Sequence, residues 1–134
     1  MALLACWLPL DAGGEYSIEA NPANLDEDKI RVLAEHGITR VSLGSQSFDR
    51  KVLRVLDRDH SPDDVPRAVE RVRRRIDTVS LDLIFGAPGQ TLDQWRGDLR
   101  RALAPRLSTS PHTASPTRQA PHFGNGRIAA RCTR

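Results

Sequence analysis

The chain has 134 residues, 39% of them hydrophobic, and a net charge of +3. This length and composition suit one domain with a modest core. The charge is uneven, because residues 101–134 hold six arginines and no acidic residue, whereas residues 1–100 hold 14 basic and 17 acidic residues. A basic arm can bind nucleic acid, but charge alone is a weak signal, so nucleic-acid binding is the least favoured interpretation of this chain.

The first residues, MALLACWLPL, are apolar but too few to cross a bilayer, which takes about 20 apolar residues, and they lack a positively charged leader. We therefore expect no membrane partner and interpret residues 1–14 as the remnant of a helix and a linker. Cys6 and Cys132 lie at opposite ends of the chain without CxxC spacing. This spacing predicts neither a zinc site nor a disulfide framework, and a reducing, cytoplasmic location follows as the default.

Three segments run from an apolar strand into a polar or glycine-containing turn. They are YSIEANP at residues 16–22, VSLGSQSF at 41–48 and VSLDLIFGAPGQT at 79–91. A helix with an acidic first turn is predicted between the first two strands. Thr91, with Gln94 three residues later, predicts a capping box and a final helix after the third strand. The third strand is nearly continuous in apolar residues, which is typical of a strand covered on both faces.

Two helices are predicted between the second and third strands. Asp49 is a cap for the first of them, and the residues RDHSPDD break it. Ser61, followed by a proline and acidic residues, predicts the start of the second, with Pro66 causing a short distortion. Strands separated by helices predict a parallel sheet with right-handed connections. Three strand-helix units cannot close a barrel, so residues 15–103 are predicted to form an incomplete one.

Four polar residues stand where ligands bind in such a sheet: Glu19, Gln46, Asp82 and Arg58. Carboxylates suit hydroxyl or ammonium groups, an amide both donates and accepts hydrogen bonds, and arginine binds a carboxylate through paired hydrogen bonds. Together they predict a site for a charged, nucleoside-like molecule. An equally weighted structural alternative is that the two acidic residues bind neighbouring backbone amides and that Arg58 is a surface residue.

Other polar features carry weaker signals. The residues GAPGQT at 86–91 lack the GK[ST] ending of a phosphate-binding loop. His36 and His60 lie at predicted helix ends, where a satisfied or solvent-facing histidine is the usual arrangement. No catalytic residue and no metal ligand is predicted from these patterns.

Four motifs in this order resemble one group of proteins: IEANP, RVSLGSQSFD, LDRDHS and VSLDLIFGAPGQTLDQW. They resemble the radical S-adenosylmethionine proteins of the oxygen-independent coproporphyrinogen III oxidase-like group, and most closely its heme chaperone branch. The resemblance covers about residues 15–103. It implies an incomplete parallel (β/α) barrel, S-adenosylmethionine and a [4Fe-4S] cluster as cofactors, and a heme or porphyrin ligand for the full-length family.

The resemblance implies a cofactor-binding set of six residues: Glu19, Gln46, Arg58, Asp82, Ile84 and Gly86. Glu19 matches the family's glutamate near the methionine portion of the cofactor, and Arg58 matches the arginine that meets its carboxylate. Gln46 and Asp82 match residues around the ribose. Ile84 and Gly86 match the strand that packs near adenine in the family.

The chain departs from the family pattern before residue 15. The CxxxCxxC motif that binds the cluster is absent, as is the glycine-rich GGGTP strand, and Cys6 stands alone. Three thiolates are the usual means of holding such a cluster. We therefore expect no cluster and no radical chemistry from this chain, which is interpreted as a catalytically incompetent fragment of an oxidoreductase-like family. The alternative is one half of a split protein that a neighbouring gene product completes.

The tail at residues 104–134 is a second departure. Where the family continues with a strand resembling EHVSTYGLTYE, this chain reads RLSTSPHTASPTRQAPHFGNG. A displaced reading frame from Leu107, with permitted codons, spells EHVSTYGLTYETGTPLWKRQDRG. The hypothesis is therefore a frameshift near Leu107, which leaves a disordered basic tail.

The codons of the tail test this hypothesis. The displaced frame needs a codon ending in T for both His112 and Phe123, because the following Thr113 and Gly124 codons then complete Tyr and Trp. We expect CAT and TTT at these positions in the genomic DNA. A codon ending in C at either residue would remove the Tyr or the Trp and contradict the frameshift.

Overall fold

A sheet with helices packed on one face forms the described part of the chain. The computed structural model describes residues 14–104, 107 and 127–132. The strands are β1 (Ser17–Ala20), β2 (Arg40–Gln46), β3 (Thr78–Ile84) and β4 (Arg127–Cys132). The helices are α1 (Glu27–Glu35), α2 (Arg50–Val55), α3 (Asp64–Arg73) and α4 (Leu92–Ala102), with a short 3-10 turn at Pro22–Asn24. No described helix has the length and apolar character that a membrane span requires.

Parallel pairing of the first three strands confirms the predicted strand-helix order. Ile18 of β1 lies opposite Val41 of β2, and Val41 in turn lies opposite Val79 of β3. The sheet order is β1-β2-β3-β4, so each of the first two connections runs through helices to a neighbouring parallel strand. This arrangement is an incomplete α/β barrel with an open sheet.

The fourth strand was not predicted from the sequence. Arg127–Cys132 pair antiparallel with β3, with Val79 opposite Cys132 and Ile84 opposite Arg127. These six residues belong to the tail at 104–134 that the sequence predicts to be disordered. Residues 1–13 of the predicted helix remnant and linker at 1–14, and most of the rest of the tail, lie outside the described residues.

The two faces of the sheet differ in chemistry. Val41, Leu43, Val79, Leu81 and Leu83 are at most 2% exposed, and they belong to the core that also contains the buried residues of α1, α3 and α4. Because side chains alternate between faces along a strand, the residues between them point the other way. Those residues are polar: Arg40, Ser42, Ser80 and Asp82. β3, predicted to be covered on both faces, has no exposed residue, and its second face carries the polar side chains of Ser80 and Asp82.

Side-chain caps start two of the described helices, α2 and α4, where the sequence predicts. Asp49 accepts hydrogen bonds from the N–H groups of Lys51 and Val52 at the start of α2. Thr91 and Gln94 form the predicted capping box of α4, in which each side chain accepts the other's backbone N–H.

The start of α3 differs from the prediction. The helix begins at Asp64, three residues after Ser61, and the Asp64 carboxylate accepts hydrogen bonds from the Ser61 N–H and hydroxyl. These two bonds lower the pKa of Asp64. Pro66 is the third residue of the helix, where no intrahelical N–H bond is lost, and α3 continues to Arg73 without the expected distortion.

Asp98 joins α4 to the turns that follow β2 and β3. Its carboxylate is 2% exposed and accepts hydrogen bonds from the Phe48 N–H at 2.6 Å and the Ser47 hydroxyl at 2.7 Å. Gln90 donates to it at 3.4 Å and accepts from the Gly86 N–H at 2.9 Å. Burial raises the pKa of Asp98, although the bonds from Phe48 and Ser47 lower it. One buried carboxylate thus fixes two turns at the carboxyl end of the sheet.

We predict that Asp98→Ala lowers the free energy of unfolding by about 2–4 kcal/mol, because it leaves buried N–H and O–H donors without an acceptor. Urea unfolding measures this change. Asp93→Ala on the same helix is the control, since its side chain is 90% exposed and forms an ion pair with Arg96. It should cost less than about 1 kcal/mol. Equal losses in the two variants would contradict a structural role for Asp98.

Candidate functional site

A polar cleft of about 240 Å³ lies at the carboxyl ends of β1, β2 and β3. It is lined by Glu19, Ala20, Asn21, Gly44, Gln46, Arg58 and Asp82. Glu19, Gln46 and Asp82 from the strand ends and Arg58 from beyond the following helix are therefore brought together. Ile84 and Gly86 are not among the lining residues; Ile84 is the last residue of β3, and Gly86 follows in a turn with φ of 77°.

Asp82 is oriented by a chain of hydrogen bonds across the polar face of the sheet. The Ser42 hydroxyl lies 2.9 Å from both Asp82 carboxylate oxygens. Ser80 donates to the Ser42 oxygen at 2.9 Å, and the Arg40 guanidinium donates to Ser80 at 3.2 and 3.3 Å. The structural alternative was that Asp82 binds neighbouring backbone amides. Its partner in the structure is instead the hydroxyl of Ser42. The carboxylate keeps acceptor capacity toward the cleft.

Glu19 lies beside Ser42 at the end of β1 and is exposed. Within the described part of the chain its carboxylate has no hydrogen-bond or ion-pair partner. The backbone-amide alternative therefore does not apply to Glu19 either. A second carboxylate is accordingly available to a ligand in this cleft.

An irregular turn places Gln46 in the cleft. The pairing of β2 with β3 advances three residues on β2, from Leu43 to Gln46, for two residues on β3, from Leu81 to Leu83. Such a bulge redirects side chains at a strand end. Gln46 has φ of 58°, unusual for a residue other than glycine. Its side chain is 6% exposed, and its Oε1 atom has no hydrogen-bond partner among the described residues.

Gly44 makes room for the Gln46 amide. A Cβ atom at position 44 would lie 2.9 Å from Gln46 Nε2, closer than side-chain atoms normally approach. The glycine therefore lets the amide cross the floor of the cleft. A buried amide oxygen without a partner is costly, so the Gln46 Oε1 atom is suited to accept a hydrogen bond from a hydroxyl or N–H group of a ligand.

The end of α2 presents Arg58 to the cleft. Asp57 adopts φ of 51°, and its N–H donates to the Arg54 carbonyl at 3.2 Å, while the Arg58 N–H donates to the Leu53 carbonyl at 3.0 Å. These two bonds form a Schellman motif with aspartate in the position usually taken by glycine. The Arg58 side chain is exposed and has no ion-pair partner within the described part of the chain. A fixed backbone and an unpaired guanidinium suit a ligand carboxylate.

His60 is buried rather than solvent-facing. It is 3% exposed, and its Nε2 atom lies 3.0 Å from the Ser45 carbonyl oxygen. Its Nδ1 atom has no partner among the described residues. His36, in contrast, is exposed, and its Nδ1 lies 2.8 Å from the Val32 carbonyl oxygen.

Sequence reasoning missed the residues that support the cleft. Ser42 orients Asp82, Gly44 admits the Gln46 amide, and Asn21 lines the wall while its side chain accepts the Ala23 N–H. Part of this was detectable, because polar and small residues alternate with apolar ones along β2 and β3. The bulge at Gln46 carries no comparable signal in the sequence.

Three parallel strands joined by helices, with a polar cleft at their carboxyl ends, define an incomplete α/β barrel. Residues 2–102 match the model of the radical SAM superfamily, and the chain belongs to that superfamily.

Relatives agree with this assignment. The chain is 34% identical over 115 residues to the heme chaperone HemW of Lactococcus lactis, covering 85% of this chain and 30% of that protein. It is 34% identical over 97 residues to the oxygen-independent coproporphyrinogen III oxidase of Paracoccus denitrificans, covering 72% of this chain and 22% of that protein. The chain thus spans less than a third of the length of these relatives.

A solved structure supports the fold. The structure of coproporphyrinogen III oxidase (HemN) from Escherichia coli, described as a radical SAM enzyme, superposes with a TM-score of 0.62 at 29% identity. The superposition covers 69% of this chain and 21% of that one.

The residues present fit one of the two cofactors that this superfamily implies. Two carboxylates, together with a guanidinium and an amide oxygen that have no partner among the described residues, match the ammonium, hydroxyl and carboxylate groups of S-adenosylmethionine. The sequence has only two cysteines, so it lacks the three thiolates that a [4Fe-4S] cluster of this type requires. In the described residues, no group of three or more His, Cys, Asp and Glu side chains could hold a metal ion.

Proposed function

We propose that this chain is the S-adenosylmethionine-binding portion of a radical SAM protein of the coproporphyrinogen III oxidase and heme chaperone group, and that it binds this molecule without cleaving it reductively. The convergence of Glu19, Gln46, Arg58 and Asp82 on one cleft carries the proposal. For the whole protein we propose a heme or porphyrin ligand, in line with the names of the relatives.

In the proposed complex, each charged residue of the cleft binds the ligand group of opposite charge. Arg58, which has no ion pair in the described part of the chain, binds the carboxylate of the methionine portion through paired hydrogen bonds. Glu19 binds the ammonium group. Asp82, held by Ser42, accepts from a ribose hydroxyl, and the free Gln46 oxygen accepts from the other.

The adenine ring is proposed to lie near the end of β3. Ile84 follows Asp82 by two residues and therefore lies on the same face of the sheet. The Gly86 N–H already donates to Gln90 at 2.9 Å, so only the Gly86 carbonyl is left to contact the base. Ile84 and Gly86 are accordingly the outer part of the proposed site.

Isothermal titration calorimetry with S-adenosylmethionine tests the binding proposal. We expect the wild-type chain to bind and Arg58→Ala to weaken binding by about tenfold to a hundredfold, the effect of losing hydrogen bonds to a charged group. Arg75→Ala is the matched control, because Arg75 is exposed and precedes β3 at the opposite end of the sheet. Absence of binding by the wild-type chain, or equal losses in both variants, would overturn the proposal.

The second half of the proposal concerns the cluster. With only Cys6 and Cys132 in the sequence, we expect anaerobic reconstitution with iron and sulfide to leave no iron-sulfur absorbance after desalting. A variant with both cysteines replaced by serine should give the same spectrum. A retained cluster in the wild-type chain alone would contradict the proposal. A cluster retained by a complex of this chain with a separate polypeptide that carries CxxxCxxC, and by neither partner alone, would instead establish a split protein.

A further inference from the structure

The Ser45 carbonyl oxygen is shared by two hydrogen bonds in the interior. The Ser47 N–H donates to it at 2.6 Å, and His60 Nε2 lies 3.0 Å from it. A carbonyl oxygen only accepts, so Nε2 carries the ring hydrogen in this contact. Ser45 and Ser47 are fully buried, and His60 is 3% exposed. Solvent therefore cannot replace the imidazole in this arrangement.

These bonds surround the strained residue of the cleft. A hydrogen bond from Ser47 back to Ser45, with a positive φ at Gln46 between them, is a γ-turn of the rare, strained kind. A backbone conformation of this sort persists only where neighbouring groups hold it in place. The free-energy cost of such a backbone conformation and the net free energy that one hydrogen bond contributes to stability are similar in size. A single buried donor can therefore decide whether the turn is kept.

We propose that His60 is a positioning residue of the cleft, whose ring N–H holds the Ser45 carbonyl and so keeps the Gln46 amide over Gly44. The role in ligand binding rests on the proposed function, since S-adenosylmethionine is the probe. The His60 Nδ1 atom has no partner among the described residues, so the contact with Ser45 is the one hydrogen bond that the described structure gives this ring.

The same loop carries Arg58, two residues before His60. The Schellman motif fixes its upstream end, and the bonds between Ser61 and Asp64 fix its downstream end. Between these two ends, His60 contacts the Ser45 carbonyl oxygen near the end of β2. The imidazole thus connects the element that presents the guanidinium with the element that presents the amide.

Paired substitutions at His60 separate hydrogen bonding from packing. His60→Gln keeps an N–H donor at a similar reach, whereas His60→Leu keeps the bulk and removes the donor. We expect His60→Leu to weaken S-adenosylmethionine binding about tenfold, the effect of one misplaced hydrogen bond, and His60→Gln to stay within about threefold of the wild type. Val72→Ala, a cavity variant in the core of α3, is the control for lost stability alone, and its affinity should not change.

The Gln46→Ala background tests whether His60 acts through Gln46. In that background His60→Leu should cost no more than about twofold in affinity, because the amide that it positions is already gone. An unchanged tenfold cost there would overturn the positioning role.

A measurement without ligand keeps this inference separate from the proposed function. In the NMR spectrum of the wild-type chain, Gln46 should show the three-bond coupling of a positive φ and the Ser47 amide should exchange slowly. In His60→Leu the coupling should rise toward that of extended backbone, and exchange should become faster. If the wild-type chain binds no S-adenosylmethionine, the proposed function fails while these signals still test the role of His60. Unchanged coupling and exchange in His60→Leu would overturn the inference.

Discussion

Parallel pairing of β1, β2 and β3 is the constraint on which the rest of the molecule depends. It brings three strand ends to one edge, so that residues far apart in sequence, such as Glu19 and Asp82, line one cleft. It also requires helical crossovers, which cover the apolar face of the sheet. The opposite face is then free to carry the hydrogen bonds from Arg40 through Ser80 and Ser42 to Asp82.

Features set by local chemistry could be predicted from the sequence, and features set by tertiary contacts could not. Strand ends and helix caps such as Asp49 follow from residue type and spacing. The start of α3 could not be predicted in this way, because Ser61 donates its bonds to the side chain of Asp64, the first residue of the helix, and does not cap the helix. The pairing of Arg127–Cys132 with β3 depends on a contact across more than 40 residues, for which the local sequence gives no signal.

The candidate site shows the same division. Glu19, Gln46, Arg58 and Asp82 could be found because polar residues at strand ends, and an arginine after a helix break, stand out against apolar segments. The backbone features that position Gln46 and Arg58 could not be predicted from the sequence. The bulge and the positive φ of Gln46 are consequences of packing, and the Schellman motif before Arg58 uses aspartate where glycine would have been the recognisable signal.

The supports of the cleft and the ligands of a cluster are physically independent. Asp82 is oriented from within the sheet, Arg58 by the end of α2, and Gln46 by its turn, and none of these supports involves a cysteine. Under the proposed function, a chain with this sheet therefore keeps groups that bind the polar groups of S-adenosylmethionine without three thiolates. Binding needs complementary groups in fixed positions, whereas reductive cleavage also needs an electron donor beside them. The two capacities can consequently be lost separately.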